Sequence, residues 1–309
     1  MSSSNIPHVV LQSSSNHHKM PVIGFGTASP FIADTKEALL EAIKVGYRHF
    51  DTAKIYGSEK PLGEAIAEAL QLGLIASRDD LFITSKLWCT DNFPHLVLPA
   101  IHKTLQSLNL KYLDLYLVQW PVAMIHGDWD YPFPEEAITS FDLKGVWQAM
   151  EECQKQGLTK FIGVSNFNCH KLENLLSFAT IPTSVNQVEL NPIWQQKKLR
   201  ELCQKEGIVV TACSPLGSVG SFWGSNKVMD NELLKQIGEA HGKSVAQVSL
   251  RWLYELGVTI VVKSYNKERM KQNLEIFDWS LTKEDYEKID EIKQSRTFNL
   301  GPKLSEEED

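Results

Sequence analysis

The sequence predicts an α/β fold, a (β/α)8 TIM barrel with an N-terminal β-hairpin cap. Three observations favour it: eight short apolar segments rich in β-branched residues, amphipathic stretches between most of them, and glycines that follow several of these stretches. Near-continuous apolar strands that alternate with helices are typical of a parallel sheet covered on both faces. Eight such units in a chain of 309 residues fit a closed barrel, and an open doubly wound sheet is the alternative.

Two short segments, PHVVLQ (7–12) and KMPVIG (19–24), precede the barrel and predict a hairpin that caps its bottom. The predicted strands then follow in order: VIGFGTA (22–28), YRHFDTA (47–53), LFITSKL (81–87), LDLYLVQW (113–120), FIGVSN (161–166), SVNQVEL (184–190), IVVTACS (208–214) and VTIVVKS (258–264). Apolar residues recur at helical spacing between them, most clearly over residues 97–108 and 245–256. Four glycines stand where a left-handed residue often ends a helix: Gly46, Gly157, Gly207 and Gly257.

The longest insertion, residues 122–141, follows the fourth predicted strand. It carries three aromatic residues, Trp129, Tyr131 and Phe133. A loop of this length and aromatic content predicts a lid over a substrate, and a packed surface loop is the alternative.

Composition and charge exclude several classes of protein. Hydrophobic residues make up 43% and charged residues 22%, as in ordinary globular proteins, and no apolar run approaches the roughly 18 residues of a membrane span. The net charge is −7, and residues 306–309 supply four of the negative charges, so nucleic-acid binding is not expected. Residues 1–19 lack the apolar core of a signal peptide, which predicts a cytoplasmic location. We expect one domain over residues 1–309, with 1–19 and 295–309 at its periphery and the acidic end a candidate for disorder.

Cysteines are scattered along the chain and odd in number: Cys89, Cys153, Cys169, Cys203 and Cys213. None of them stand at the spacing of metal ligands, so neither a metal site nor a disulfide framework is expected. Buried thiols that behave as small hydrophobic side chains are the plainest interpretation.

Polar residues end seven of the eight predicted strands. They are Asp51, Lys86, Gln119, Ser165 with Asn166, Gln187 with Glu189, Ser214, and Lys263 with Ser264. In a (β/α)8 barrel the carboxyl ends of the strands meet at one face, where active sites lie. A purely structural barrel does not need polar residues there, so this set predicts an active site.

Asp51, Tyr56 and Lys86 together fit general acid catalysis. A tyrosine with an ordinary pKa near 10 is a poor acid at neutral pH unless its phenolate is stabilised. A nearby ammonium lowers that pKa, and a carboxylate holds the ammonium in place. The proton can then pass to a carbonyl oxygen as a hydride reaches the carbon. Many barrels place an Asp and a Lys at strand ends, so spacing alone does not select these three residues.

Five segments closely resemble motifs of the aldo-keto reductase superfamily, with order and spacing kept: DTAKIYGSE (51–59), ITSKLW (83–88), GVSNF (163–167), NQVELNP (186–192) and VVKSYNKERMKQN (261–273). The resemblance extends over about residues 20–277. Two longer stretches, FDLKGVWQAMEECQKQGLTK (141–160) and WQQKKLRELC (194–203), are similar to the plant branch that holds chalcone (polyketide), codeinone and methylecgonone reductases.

The resemblance implies reduction of a ketone with NADPH as cofactor, and it gives a role to each matching residue. It implies that Tyr56 is the general acid, that Lys86 lowers its pKa and that Asp51 is the partner of Lys86. The cofactor contacts that it implies are Ser165, Asn166 and Gln187 at the nicotinamide, Thr27 and Asp51 at its ribose, Ser214, Leu216 and Ser218 along the pyrophosphate, Lys263, Ser264, Asn266 and Arg269 at the 2′-phosphate, and Gln272 and Asn273 near the adenine.

The predicted 2′-phosphate site also makes sense from its residues alone. Lys263, Lys267, Arg269 and Lys271 form a basic cluster in an acidic protein, at a predicted strand end and helix start. Helix N-termini and guanidinium groups both favour a phosphate dianion. A solvated helix face is the alternative interpretation.

A glycine-rich segment, GFGTAS (24–29), is close to the dinucleotide fingerprint of Rossmann folds. Ser29 stands at the third glycine position, and Asp51 follows as a ribose-binding acid could. Pro30 comes directly afterwards, where a helix should begin, which argues against this interpretation.

Three positions depart from the pattern of the superfamily. The superfamily has His at the end of strand four, where this chain has Gln119, whose amide can donate to a carbonyl oxygen but cannot become cationic. Relatives with a carboxylate at that position reduce C=C bonds, so enone reduction is an alternative. Cys213 stands where an aromatic ring commonly stacks on nicotinamide, and it offers far less stacking area. Lys54 replaces a small residue and is either a solvated side chain or an electrostatic influence on Asp51.

The departures at Gln119 and Cys213 motivate a second alternative, a weakly catalytic NADPH-binding protein. The intact set of Asp51, Tyr56 and Lys86 argues against it.

Tryptophans are the candidate walls of the substrate pocket: Trp88 and Trp120, and Trp223 with its neighbour Phe222. Aromatic walls suit a flat, apolar, cyclic ketone. We therefore predict an enzyme that reduces a ketone of plant specialised metabolism, such as an alkaloid or a polyketide. It is expected to act as a monomer on this small molecule and to bind neither nucleic acid nor a membrane.

Overall fold

Eight parallel strands form a closed barrel in the computed structural model, which describes residues 6–12, 17–28, 34–127, 134–219 and 224–297. The strands are β1 (Ile23–Gly26), β2 (His49–Asp51), β3 (Phe82–Leu87), β4 (Leu113–Val118), β5 (Thr159–Ser165), β6 (Val185–Glu189), β7 (Val209–Cys213) and β8 (Thr259–Val262). The barrel closes between β8 and β1, where Ile260 pairs with Ile23 and Val262 with Phe25. This closure confirms the predicted (β/α)8 fold, so the open doubly wound sheet and the Rossmann interpretation are wrong.

Helices alternate with the strands and pack on the outside of the barrel. Those in the described residues are α1 (Thr35–Val45), α2 (Glu59–Gln71), α3 (Val97–Leu108), α4 (Leu143–Lys155), α5 (Cys169–Leu176), α6 (Lys197–Lys205), α7 (Glu232–His241), α8 (Val245–Glu255), α9 (Lys267–Gln272) and α10 (Lys283–Asp290). Their buried apolar residues, such as Leu39 and Trp147, join strand residues such as Ile83 in one hydrophobic core. All four glycines predicted at helix ends have positive φ.

The predicted hairpin closes the bottom of the barrel. Strands His8–Gln12 and His17–Pro21 pair antiparallel and place Leu11 and Met20 against apolar side chains inside the barrel. Phe82 and Val185, the first residues of β3 and β6, belong to this cluster, which identifies the capped end as the amino-terminal end of the strands. The opposite end is therefore left for the polar residues at the carboxyl ends of the strands.

The long insertion after β4 contains a small ribbon, in which Ala123–Met124 pairs with Ile138–Thr139. The aromatic residues that motivated the lid prediction lie outside the described residues: Trp129, Tyr131 and Phe133. Ser29, Pro30, Phe222, Trp223 and the acidic end of the chain also lie outside them.

A buried histidine in β2 makes the stability of the barrel depend on pH. The His49 imidazole packs so closely on Gly24 that a Cβ atom there would lie 2.6 Å from Nδ1 of His49. Nε2 of His49 lies 3.1 Å from Oγ1 of Thr84. Burial lowers the pKa of this imidazole from 6.5 to about 4. Because the folded-state pKa lies below the ordinary value, the unfolded chain takes up the proton first as the pH falls. The free energy of unfolding therefore decreases between pH 6.5 and pH 4.

We expect His49→Gln to remove part of this acid sensitivity. Between pH 7.5 and pH 5 the wild-type chain should lose roughly 2 kcal/mol more stability than the variant, because only the wild type gains a proton at this position on unfolding. Urea denaturation of both proteins at the two pH values measures the difference. Equal losses would contradict this role of His49, whatever the stability of the variant at pH 7.5.

Candidate active site

Asp51 and Lys86 form a buried ion pair at the carboxyl end of the barrel. Asp51 is the last residue of β2, and Lys86 lies near the end of the adjacent strand β3. The two side chains are 4% and 1% exposed, and Lys86 Nζ lies 2.5 Å from Asp51 Oδ1. Lys86 Nζ also donates to the carbonyl oxygen of Thr52 at 3.0 Å. The ammonium is thus fixed from two sides.

Tyr56 lies directly beside this ion pair. It ends a short 3-10 helix, Lys54–Tyr56, which follows β2 and is closed by Gly57 in the left-handed conformation, with φ 67°. Lys86 Nζ lies 4.8 Å from the centroid of the half-buried Tyr56 ring. The three residues selected by the motif therefore meet in space, although 35 residues separate Asp51 from Lys86.

Burial and charge act in opposite directions on the phenol and the ammonium. Burial raises the pKa of Tyr56 above its ordinary value, and this outweighs the Lys86 ammonium, which acts to lower it. For Lys86, burial acts to lower the pKa, but Asp51 and Tyr56 act more strongly in the other direction, so the pKa is raised. The predicted influence of Lys86 on Tyr56 is therefore present without producing a net lowering. Both groups hold their protons at neutral pH, which leaves Tyr56 a proton to donate.

A chain of amides and hydroxyls forms the neighbouring wall. Gln187 Nε2 donates to Asp51 Oδ2 at 2.8 Å, so both carboxylate oxygens of Asp51 have partners. Ser165 Oγ donates to the carbonyl oxygen of Gln187 at 2.7 Å, and Asn166 Nδ2 lies 3.1 Å from Ser165 Oγ. Asn166 has φ 63°, a left-handed conformation that is strained for a residue other than glycine. The predicted nicotinamide contacts thus form one connected network with the ion pair.

Hydrogen bonds to its backbone hold Gln119 in place, while the oxygen of its side-chain amide has no partner among the described residues. Its N–H donates to Leu87 at 3.1 Å, and its carbonyl oxygen accepts from Asn166 Nδ2 at 2.9 Å. The residue is 5% exposed. Among the described residues, its buried Oε1 has no hydrogen-bond partner. An uncompensated buried oxygen is costly in a folded protein and is common where a ligand completes the site.

The end of β7 provides a small thiol and two strained serines. Cys213 is half-buried, and burial raises the pKa of its thiol to about 12, so the thiol stays neutral. Ser214 and Ser218 both have left-handed backbones, with φ 52° and 55°, and Ser218 Oγ donates to Ser214 Oγ at 2.5 Å. The half-buried Leu216 lies between them in the chain. Such strain in residues other than glycine clusters at ligand sites.

Thr27 lies at the end of β1, beside the predicted ribose position. It is 1% exposed, its N–H donates to the carbonyl oxygen of Asp51, and its Oγ1 lies 2.6 Å from Ser58 Oγ. Ser58 in turn lies 2.8 Å from Thr52 Oγ1. The loops after β1 and β2 are therefore joined directly next to the ion pair.

The predicted basic cluster divides into two groups in the structure. Lys267 pairs with Glu41 at 2.7 Å, and Lys271 pairs with Glu268 at 3.0 Å. Lys263 instead donates to the carbonyl oxygen of Ala28 at 2.8 Å.

Arg269 lies in the first turn of α9, which Asn266 caps by accepting from the Arg269 N–H at 2.9 Å. Ser264 Oγ accepts from the Asn266 N–H at 3.2 Å. In the described part of the chain, neither Lys263 nor Arg269 has a carboxylate within 4.0 Å. These two cations, rather than all four, remain for an anion.

The two residues predicted near the adenine differ in exposure. Gln272, the last residue of α9, is exposed, and its carbonyl oxygen accepts from Gln247 Nε2 at 3.2 Å. Asn273 is 5% exposed, and the nearby hydroxyl of Tyr47 donates to the carbonyl oxygen of Met270 at 3.1 Å. Asn273 therefore supports the loop from within.

The structure describes two of the three tryptophans that were predicted to form the pocket walls. Trp88 is half-buried and follows Leu87, the last residue of β3. Trp120 is 5% exposed and packs with Cys89, Met124 and Ala137, so little of its side chain is left to form a pocket wall. Trp223 lies outside the described residues.

Lys54 is exposed, as the solvated interpretation predicts, and it also forms an ion pair that the sequence did not predict. Its Nζ lies 2.5 Å from Oδ2 of Asp91, which ends the 3-10 helix Cys89–Asp91 after β3. Sequence reasoning missed Asp91, because no local pattern indicates which loops meet above the barrel.

Two absences apply to the described residues. They contain no group of three or more His, Cys, Asp or Glu side chains that could hold a metal ion. None of their helices is long and apolar enough to cross a membrane.

Comparisons with known proteins agree on one family. The sequence model of the Aldo/keto reductase family matches residues 22–294. The chain is 61% identical to the NAD(P)H-dependent 6'-deoxychalcone synthase of Glycine max over 299 residues, which cover 96% of this chain and 94% of that protein. It is 55% identical to the NADPH-dependent codeinone reductase 1-4 of Papaver somniferum over 318 residues, which cover 100% and 98%.

A solved structure also resembles the whole barrel. The crystal structure of an aldo-keto reductase from Bombyx mori in complex with NADP superimposes with a TM-score of 0.85 at 35% identity. The match covers 95% of each chain.

Proposed function

The chain belongs to the aldo/keto reductase family, and we propose that it reduces a ketone to an alcohol with hydride from NADPH and a proton from Tyr56. One observation carries the assignment of the proton donor. The Lys86 ammonium is buried between the carboxylate of Asp51 and the ring of Tyr56. This arrangement fits general acid catalysis.

Tyr56 donates its hydroxyl proton to the carbonyl oxygen, and Lys86 stabilises the phenolate that is left. Lys86 remains protonated throughout, because Asp51 and Tyr56 raise its pKa. Asp51 holds the ammonium and is itself oriented by Gln187. Because the ammonium is buried, water screens its charge less than at the surface, and the attraction between Lys86 and the phenolate is correspondingly stronger.

NADPH, when bound, supplies the hydride to the carbonyl carbon. Two features of the structure fit this cofactor: strained backbones in the loop after β7, and two cations near α9, Lys263 and Arg269, that have no carboxylate partner among the described residues. We propose that Ser165, Asn166 and Gln187 orient the nicotinamide amide, while Thr27 and Asp51 approach its ribose. The remaining contacts are proposed for Cys213 at the nicotinamide face, Ser214, Leu216 and Ser218 along the pyrophosphate, Lys263, Ser264, Asn266 and Arg269 at the 2′-phosphate, and Gln272 and Asn273 near the adenine.

Arg269→Ala is expected to weaken NADPH binding roughly tenfold or more and to leave NADH binding unchanged. The reason is that a charge-assisted hydrogen bond to the 2′-phosphate, which NADH lacks, is worth about 1.5–3 kcal/mol. Quenching of protein fluorescence, titrated with each cofactor, measures the two dissociation constants.

Lys271→Ala is the matched control for Arg269→Ala. It removes a cation from the same helix, but one that already pairs with Glu268. We expect an effect on NADPH binding of less than about twofold. An equal loss in the two variants, or an equal loss for NADPH and NADH, would contradict the proposed phosphate contact.

We propose that Gln119 donates from its amide nitrogen to the substrate carbonyl oxygen, in the position where relatives carry histidine. Trp88 forms a wall of the pocket, and Trp120 and Trp223 are proposed to support it. Aromatic walls and a neutral amide suit an apolar cyclic ketone better than a sugar. The substrate is therefore proposed to be a ketone of plant specialised metabolism, an alkaloid or a polyketide, as the names of the related proteins suggest.

NADPH consumption with a panel of cyclic ketones and enones tests the function, with products identified by mass spectrometry and NMR. We expect alcohols as products. Saturated ketones would show that the C=C bond is reduced instead. NADPH binding without turnover of any member of the panel would contradict the proposed substrate class.

Location and assembly are also proposed. All five cysteines are free thiols, which fits a reducing compartment such as the cytoplasm. In the described ranges, the exposed large hydrophobic residues are few and spread over different strands, helices and loops, which suits a monomer: Val10, Ile55, Leu70, Leu72, Ile125 and Val219. Size-exclusion chromatography with light scattering tests the monomer.

A further inference from the structure

We propose that the ion pair between Lys54 and Asp91 is a positioning device for Tyr56. It ties the 3-10 helix that carries the proton donor to the turn after β3. The expected effect on kcat rests on the proposed function, whereas the expected effect on the order of the 3-10 helix does not.

The residues on either side of the 3-10 helix Lys54–Tyr56 are anchored, since Ala53 and Ser58 are buried, but the helix itself has few contacts. None of its three residues is buried, and Ile55 is 50% exposed. Its backbone is closed by two hydrogen bonds, from Tyr56 to Ala53 at 3.0 Å and from Gly57 to Lys54 at 3.3 Å. A single turn in which no residue is fully buried is the kind of segment that opens locally at low cost in free energy.

The turn at the other end of the ion pair is well anchored. Asp91 is buried, its N–H donates to Trp88 at 2.8 Å, and its carbonyl oxygen accepts from Phe93 at 2.7 Å. The next residue, Asn92, is 1% exposed and donates to the carbonyl oxygens of Trp120 and Val122 at 2.9 and 2.6 Å.

These contacts also connect Tyr56 to Gln119. The segment that Asn92 holds begins directly after Gln119, so the turn at 89–92 is bonded to Trp120, the residue that follows the proposed carbonyl-orienting Gln119. Through Asp91 and Lys54 it is bonded to the 3-10 helix on the other side. The Nζ–Oδ2 contact of 2.5 Å thereby fixes the distance between the proton donor and the group that orients the carbonyl.

Lys54→Met and Asp91→Asn test the proposal without removing any group that touches the substrate. Hydrogen–deuterium exchange is expected to accelerate several-fold at the amides of Tyr56 and Gly57 in both variants. With camphorquinone as the carbonyl probe, kcat should fall roughly tenfold, because misplacement of a catalytic group by a fraction of an ångström is costly. The dissociation constant for NADPH should change by less than about twofold, and the melting temperature by about 2 °C or less, since Lys54 is partly exposed.

Matched variants separate positioning from a general effect of charge. Lys54→Arg keeps the ion pair, so its exchange rates and kcat should be close to those of the wild type. Lys54→Met combined with Asp91→Asn should be no worse than either single variant, because one interaction is lost in all three. Lys36→Met removes a similarly short surface pair, with Glu68 at 2.8 Å, and should alter neither readout.

Three outcomes would overturn the proposal. They are unchanged exchange at Tyr56 and Gly57 in both single variants, additive losses in the double variant, and an arginine variant that behaves like the methionine variant. If the wild-type protein reduces no carbonyl at all, the proposed function fails, whereas the exchange measurements still decide whether the ion pair orders the helix.

Discussion

Tyr56→Phe is expected to lower kcat for ketone reduction by roughly 10²–10⁴-fold and to leave NADPH binding unchanged. The substitution removes one hydroxyl from a half-buried ring and retains the packing of that ring beside Lys86. Because the phenol proton is the one that we propose is delivered to the substrate oxygen, its loss should act on the chemical step and not on cofactor affinity. Steady-state kinetics and fluorescence titration with NADPH measure the two effects separately.

Tyr112→Phe is the matched control for Tyr56→Phe. Tyr112 is also half-buried and also carries a lysine over its ring, with Lys160 Nζ at 4.4 Å from the centroid. It directly precedes β4, at the capped end of the barrel, so its hydroxyl cannot reach a substrate at the other end. We expect kcat to be unchanged. Substantial activity in Tyr56→Phe, or a similar loss in both variants, would identify a different proton donor.

The barrel could be predicted from the sequence because each strand carries its own signal. The segment LDLYLVQW, for example, contains Leu113–Val118, and all six residues of this strand are buried. Burial on both faces demands apolar side chains at nearly every position, and this demand is visible without knowledge of neighbouring strands. The polar residues at the ends of the strands, such as Asp51 and Lys86, stand out against that background for the same reason.

The pairing of charged side chains could not be predicted in this way. Lys54 and Asp91 are 37 residues apart and belong to different loops, whose distance depends on how β2 and β3 sit in the barrel. Lys267, near the C-terminal end of the sequence, pairs with Glu41 on α1, near its N-terminal end. The sequence therefore indicated four free cations near α9, where the described residues leave Lys263 and Arg269 without a carboxylate.

The direction of the overall pKa shift of Tyr56 also could not be predicted from the sequence. The types of residue indicate that Lys86 lowers it, and the structure confirms the direction of that interaction. The opposing effect of burial depends on how closely the surrounding loops cover the phenol, which is a property of the whole fold. The result is a phenol that keeps its proton at neutral pH, as the proposed role of Tyr56 requires.

Lys86→Met is expected to damage both stability and catalysis. Methionine has nearly the length of lysine, but it leaves the Asp51 carboxylate buried with Gln187 Nε2 as its remaining side-chain donor. Breaking a buried ion pair by removing one partner typically costs about 3–5 kcal/mol. The phenolate of Tyr56 also loses its stabilising charge, so kcat should fall by at least roughly 10²-fold. Urea denaturation and steady-state kinetics measure the two losses.

The double variant Lys86→Met with Asp51→Asn separates these two effects. It removes both charges, so no carboxylate is left buried without a cation, and most of the lost stability should return. Activity should not return, because the ammonium that stabilises the phenolate is still missing. A double variant that regains turnover together with stability would mean that Lys86 serves the fold and that another group stabilises the phenolate. A single variant as stable as the wild type would mean that water or a neighbouring donor compensates the buried carboxylate of Asp51, and that the ion pair is maintained for catalysis alone.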